Sequence, residues 1–271
     1  MTTAAERWQA ALASWAIPKE ILDRAPESPY YFPVELFASR ADSAGEELTP
    51  SNRLALEALP EGGSVLDVGC GAGAASLALA SRARRLIGVD SSKGMLEEFL
   101  DRTRARGLEA EAIEGRWPDV AAHVTAADVV VCHHVFYNAA DLPAFAAALT
   151  DHARHRVVAE LTAAHPMSNL NPLWLRFHGL QRPTHPTADD SVAVLREEGL
   201  EPQRKDWTAA RKGGFARRED LVAWVRRLLC LPATRDPEIS EAVTEWEEEQ
   251  NGQAGLLDRP LVTLWWPGSG P

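Results

Sequence analysis

Basic residues are in short supply in this chain. Lysines and arginines number 28 against 39 aspartates and glutamates, a net charge of −11 over 271 residues. Proteins that hold nucleic acid draw most of their affinity from a basic face against the phosphates, so the balance argues against a nucleic-acid partner. Cysteine is scarce as well. Cys70, Cys132 and Cys230 are scattered without C-x-x-C spacing. That pattern suggests neither a disulfide framework nor a zinc site and fits a reducing cytoplasm. No apolar run approaches the ~20 residues of a membrane span. The start of the chain, Met1-Thr2-Thr3-Ala4-Ala5-Glu6-Arg7-Trp8, lacks the apolar stretch of a secretory signal. Neither H-x-x-x-H nor H-E-x-x-H spacing occurs among the eight histidines, so no metal is expected. The expectation is a soluble cytoplasmic protein, and 45% hydrophobic content suffices for one large domain with a small appendage.

What is present is concentrated in one stretch, Val65-Leu66-Asp67-Val68-Gly69-Cys70-Gly71-Ala72-Gly73-Ala74. Val65 to Val68 is an apolar run broken only by Asp67, as in a strand buried on both faces. Alternating glycines follow, then a helical pattern with Leu77, Leu79 and Ala80. Glycine takes positive φ and offers no Cβ to keep a ligand from the backbone, and the N–H groups at a helix start face whatever occupies the turn. Leu86-Ile87-Gly88-Val89-Asp90 reads as a second strand ending in an acid.

The rest of the chain alternates. Trp8, Leu12 and Trp15 share one helical face, Pro18 interrupts, and Ile21-Leu22 continues it. Thr49-Pro50 caps and opens a helix that Pro60 stops. Ser91 can cap a helix over 93–106, ended by Gly107. Further strands are expected at 109–113, 128–132, 156–161, 203–208 and 261–266. Asp141 opens one helix between them, Thr187-Ala188-Asp189-Asp190 caps another, and two more are centred on Leu221-Trp224-Leu228 and Ile239-Val243-Trp246.

The glycine stretch with Asp67 and Asp90, followed by this order of elements, resembles the class I S-adenosylmethionine-dependent methyltransferases over roughly residues 50–208 and 258–267. The resemblance implies an α/β fold: a Rossmann-like, seven-stranded, mostly parallel sheet with the last strand antiparallel and helices on both faces. Residues 1–48 would form a helical extension or lid, and 49–271 the methyltransferase domain, with insertions near 165–186 and 211–257. It also implies a cofactor site at Gly69, Cys70, Gly71 and Gly73. Asp90 would hold the ribose hydroxyls, Ser91 and Met95 would line the adenosine pocket, and His133 would lie beside the methionine part. Gly115, Arg116 and Trp117 fall at the adenine position. Arg116 stands where the family usually has an acid, so backbone N–H groups or the Trp117 ring would serve instead; the alternative for Trp117 is to plug the bottom of the sheet.

Methyl transfer from a sulfonium is an in-line displacement in which positioning does most of the work. A hydroxyl or ammonium acceptor must also lose a proton, which calls for a base. His134 and, after the fifth strand, His165 are the candidates. Strand alternation predicts that His133 and His134 point to different sides. Tyr30, Tyr31, Tyr137, Asn138 and Trp174 are the candidate acceptor contacts. The cofactor is expected to be S-adenosylmethionine, leaving as S-adenosylhomocysteine, and the partner a small-molecule acceptor. Two rivals stay open. Gly69, Gly71 and Ala74 also satisfy a loose dinucleotide fingerprint, which admits an NAD(P)-dependent oxidoreductase. A non-catalytic regulator that keeps the cofactor fold is the other.

Overall fold

The computed structural model describes residues 2–30, 41–42, 44–208, 215, 217–249 and 260–270. Seven strands form one sheet: β1 (Gly63–Val68), β2 (Ala83–Asp90), β3 (Glu109–Glu114), β4 (Ala127–His133), β5 (Ala153–Thr162), β6 (Gln203–Thr208) and β7 (Pro260–Pro267). Their order is β3-β2-β1-β4-β5-β7-β6. β1 to β5 pair in parallel, and β7 runs antiparallel between β5 and β6. The expected seven-stranded, mostly parallel sheet is the one found. Chain order reverses between β1 and β4, which makes the ground beyond their carboxyl ends the expected place for a ligand.

The central strands are apolar on both faces because helices cover both. On one face Val65, Leu86, Val129, Val131 and Val158 pack with α3 (Pro50–Ala58), α4 (Ala74–Leu77) and α5 (Lys93–Ala105). On the other, Leu66, Val68, Ile87, Val130 and Val157 pack with α1 (Ala4–Ala13), α6 (Leu142–Asp151) and α8 (Ala188–Glu197). Between α1 and α3 lies α2 (Lys19–Leu22). A satellite core joins α7 (Asn171–His178), α9 (Arg218–Leu228) and α10 (Asp236–Glu249), with Ile17, Ile21 and Leu22 packed against it. Trp8 is fully buried; its indole N–H donates to the Ala139 carbonyl at 2.8 Å and its ring stacks on Tyr137. The N-terminal helix is thus part of the main core. Among the described residues no helix is long and apolar enough to cross a membrane.

Helix starts follow the capping chemistry. Thr49 and Thr187 form capping boxes with Asn52 and Asp190, and Asp141 accepts from Ala144 N–H. One cap differs from expectation: Ser92, not Ser91, caps α5. The Ser92 N–H is drawn back onto Asp90 Oδ1 at 2.9 Å, which turns the chain one residue later.

Candidate active site

The glycine loop is built from beneath by Asp67. Its Oδ2 accepts the Ser76 N–H at 3.2 Å and the Ser76 hydroxyl at 2.6 Å, tying α4 to β1. Burial pushes its carboxyl up to about 6, against the pull of the Ser76 hydrogen bonds and with a smaller push from Asp90. The loop's glycines do different work. Gly69 has φ +72°, and a Cβ there would be driven into Val135. Gly71 has φ +50° and faces open space. Gly69→Ala should therefore cost stability, by about 2 kcal/mol or more from strain plus overpacking. Gly71→Ala should cost about 1 kcal/mol of stability, with its main effect on affinity for S-adenosylhomocysteine. Urea unfolding and calorimetry on both variants separate the two roles; equal losses of stability would contradict the division.

At the end of β2, Asp90 accepts the Gly71 N–H on Oδ2 and the Ser92 N–H on Oδ1, each at 2.9 Å. An ionised carboxylate offers about four acceptor positions, so about two remain on a side chain that is partly exposed. Gly69 and Cys70 both donate their N–H to the Val89 carbonyl, which fixes the loop's outline against β2. Met95 is buried in the first turn of α5, and Ser91 is exposed beside it. Gly115 N–H bonds the Asp90 carbonyl at 3.0 Å, so the β3 loop closes on the same acid. Arg116 is exposed. Trp117 is buried: its indole N–H goes to the Phe145 carbonyl at 3.2 Å and its ring meets His152 edge-on. It packs in the core beside α6.

Beyond β4 the chain turns sharply, with His134 at φ +62°. This left-handed residue ends the strand's alternation, so His133 and His134 do not diverge as strand geometry predicts. Both face Glu160 of β5. His134 Nε2 lies 3.1 Å from Glu160 Oε1, and His133 Nδ1 lies 3.9 Å from Oε2. The His134 N–H also donates to the Glu160 carbonyl at 2.6 Å. The Glu160 side chain is 7% exposed and that of His134 44%. Behind Glu160, Ser51 of α3 donates to Oε2 at 2.6 Å, Ser51 and Thr263 of β7 share a 2.7 Å hydrogen bond, and the Trp207 N–H of β6 reaches Thr263 Oγ1 at 2.9 Å. Burial alone would raise the Glu160 carboxyl. The charge of His133 and the hydrogen bonds of His134 and Ser51 outweigh it and hold the group at about 2. Burial lowers His133, with Glu160 opposing and His134 assisting; its Nε2 is buried with no hydrogen-bond partner.

Residues 65–156 match the methyltransferase domain family. Over that stretch, from β1 into β5, the chain is similar to methyltransferase domains. A curated relative, the cypemycin N-terminal methyltransferase of a Streptomyces species, is 35% identical over 95 residues, which cover 35% of this chain and 38% of the relative. The chain thus matches well under half of that relative's length. Two solved structures share the fold. One is a cyclopropane-fatty-acyl-phospholipid synthase-like protein from Lactobacillus casei (TM-score 0.55, 13% identity, 97% of this chain and 99% of the other). The other is magnesium protoporphyrin IX methyltransferase from Synechocystis with bound S-adenosylhomocysteine (TM-score 0.51, 15% identity, 86% and 83%).

The domain's own residues fit that cofactor. The loop at Gly71 is open where a side chain would stand, Asp90 keeps about two acceptor positions beyond those given to Gly71 and Ser92, and His133 Nε2 is an orphaned buried polar atom. Other expected contacts are already engaged. The Tyr137 hydroxyl donates to the Thr162 carbonyl at 2.7 Å and is buried, which pushes its ionisation further up. Trp174 is buried in the satellite core, stacked on His178 and under the Arg182 guanidinium. His165 stacks on Trp15 with centroids 3.8 Å apart, and its Nδ1 accepts the Met167 N–H at 3.2 Å. Tyr30 is 63% exposed and Asn138 is exposed; Tyr31 lies outside the described residues. The residues that sequence reasoning missed are Glu160 and Ser51. The available signal was a lone acid in the apolar run Val157-Val158-Ala159-Glu160-Leu161.

Proposed function

We propose that the protein transfers a methyl group from S-adenosylmethionine to a small-molecule acceptor carrying an O–H or N–H, with His134 as general base. One observation carries this reading: a half-exposed imidazole just past the end of β4, its Nε2 3.1 Å from a buried carboxylate oxygen, next to the topological switch point. A bound cofactor would supply a methyl carbon on a sulfonium, open to attack by an acceptor lone pair with the carbon–sulfur pair leaving on sulfur. The chain's part is to hold and to deprotonate. The Gly71 backbone and Asp90 fix the cofactor's position, His133 lies beside its methionine part, and His134 takes the acceptor's proton. Tyr30 and Asn138 have the exposure to touch the acceptor, whereas Tyr137, Trp174 and His165 act through packing. The acidic net charge argues against an RNA acceptor, and three free, buried cysteines suit a reducing cytoplasm. The relative named for N-terminal methylation makes amines and short peptides the first acceptors to try.

The test is transfer of labelled methyl into metabolite extracts and amine libraries, with Asp90→Ala as the matched control. Asp90→Ala should weaken S-adenosylhomocysteine binding about 10- to 150-fold, the worth of a hydrogen bond to a charged group. Unchanged affinity by calorimetry would remove Asp90 from the site, and preference for NADH would restore the dinucleotide reading.

A further inference from the structure

We propose that Glu160 is a positioning residue for His134: its carboxylate takes the ring's Nε2–H, fixes that tautomer, and leaves Nδ1 as the atom that receives the acceptor's proton. The proposal rests on the reading of His134 as the base. Glu160 grips the residue twice, through the ring at 3.1 Å and through the backbone, where the His134 N–H donates to the Glu160 carbonyl.

The direction of the hydrogen bonds behind Glu160 carries the argument. An indole N–H can only donate, and that of Trp207 goes to Thr263 Oγ1. A serine hydroxyl has one proton, and Ser51 gives it to Glu160 Oε2. In the Ser51–Thr263 contact the threonine must then be the donor. Trp207, Thr263 and Ser51 therefore all point their protons toward Glu160. Chains of this kind polarise one another in a low-dielectric interior. A carboxylate at their end is acceptor-only, so the only role left to His134 Nε2 is donor. A neutral imidazole carries one N–H, so its lone pair lies on Nδ1. The groups facing the pair are His133 on β4, Ser51 on α3, Thr263 on β7 and Trp207 on β6. In the transfer step an acceptor lone pair would form the new bond to carbon as the carbon–sulfur bond breaks and its pair leaves on sulfur; the acceptor's O–H or N–H proton goes to Nδ1, and the pair of that bond stays on the acceptor atom. The imidazolium so formed sits against the Glu160 charge.

Long-range ¹H–¹⁵N spectra of protein labelled with ¹⁵N-histidine read this directly, at a pH above the ordinary histidine value of about 6.5. Comparison with His134→Asn assigns the resonances. The expected result is an Nε2–H form of His134 favoured about tenfold or more, as befits a hydrogen bond to a charged group. In Glu160→Gln, whose side-chain amide both donates and accepts, the selection should collapse to a mixture. A mixed or Nδ1–H form in the unsubstituted protein overturns the proposal even where Glu160→Gln fails to fold. So does a Glu160→Gln variant with the original spectrum. The spectrum needs no acceptor, so it reads the clamp separately from the turnover of His134 variants, which reads the base.

Discussion

His134→Ala is expected to lower methyl transfer about 10²–10⁴-fold, the usual worth of a positioned general base, while affinity for S-adenosylhomocysteine stays within about twofold. The asymmetry follows from placement. His134 is tied to Glu160 on β5, whereas the glycine loop and Asp90 are held to each other across β1 and β2. His134 already carries a Cβ at φ +62°, so alanine adds little backbone strain of its own. His134→Asn is the better partner variant, since asparagine tolerates that conformation. Both should lose turnover alike, with the deficit concentrated in the maximal rate under saturating cofactor. Turnover equal to the original in either would discard His134 and return the question to His165, whose ring is clasped by Trp15 and whose Nδ1 is taken by a backbone N–H.

The parts of this site that were legible in the sequence are those whose signals are local. A strand, a run of alternating glycines and a helix lie within 15 residues, and an acid at the end of the next strand needs only the parallel register to reach them. The β1–β2 pairing delivers this by aligning Val68 with Val89. The position of the histidine pair at a strand's end is legible, but its geometry is not. Alternation holds only inside a strand, and His134 is the first residue past β4. The polar line behind it was out of reach for another reason. Ser51, Glu160 and Thr263 are spread over more than two hundred positions. They meet because β5 pairs with β7 so that Glu160 faces Thr263, and because α3 crosses that face. No local pattern encodes such a meeting. The aromatic residues show the limit from the other side. Tyr137, Trp117 and Trp174 carry polar handles that suit a ligand, yet each hydroxyl or ring is engaged by the protein's own carbonyls and rings.

The two buried acids, Asp67 under the glycine loop and Glu160 behind His134, should make stability depend on pH with opposite signs. Glu160 is held at about 2 in the fold against an ordinary 4.5. Its contribution is complete above pH 4.5 and is lost as pH falls toward 2, because the unfolded chain takes up the proton first. The separation corresponds to about 3 kcal/mol. Asp67 is displaced the other way, from 3.8 to about 6, by burial that the Ser76 hydrogen bonds only partly offset. Its ionised form costs the fold about 3 kcal/mol above pH 6, and that cost disappears as pH falls from 6 to 3.8 and the native carboxyl protonates first. Urea unfolding across this range, with Glu160→Gln and Asp67→Asn as references, isolates each term. Stability of the unsubstituted protein relative to Glu160→Gln should fall by about 3 kcal/mol between pH 4.5 and 2. Relative to Asp67→Asn it should rise by a similar amount between pH 6 and 4. Two slopes of the same sign would mean that the acids do not have these environments. A flat curve against Glu160→Gln would mean that the carboxylate holding His134 is solvated, in which case it would lack the fixed proton directions that select a single tautomer.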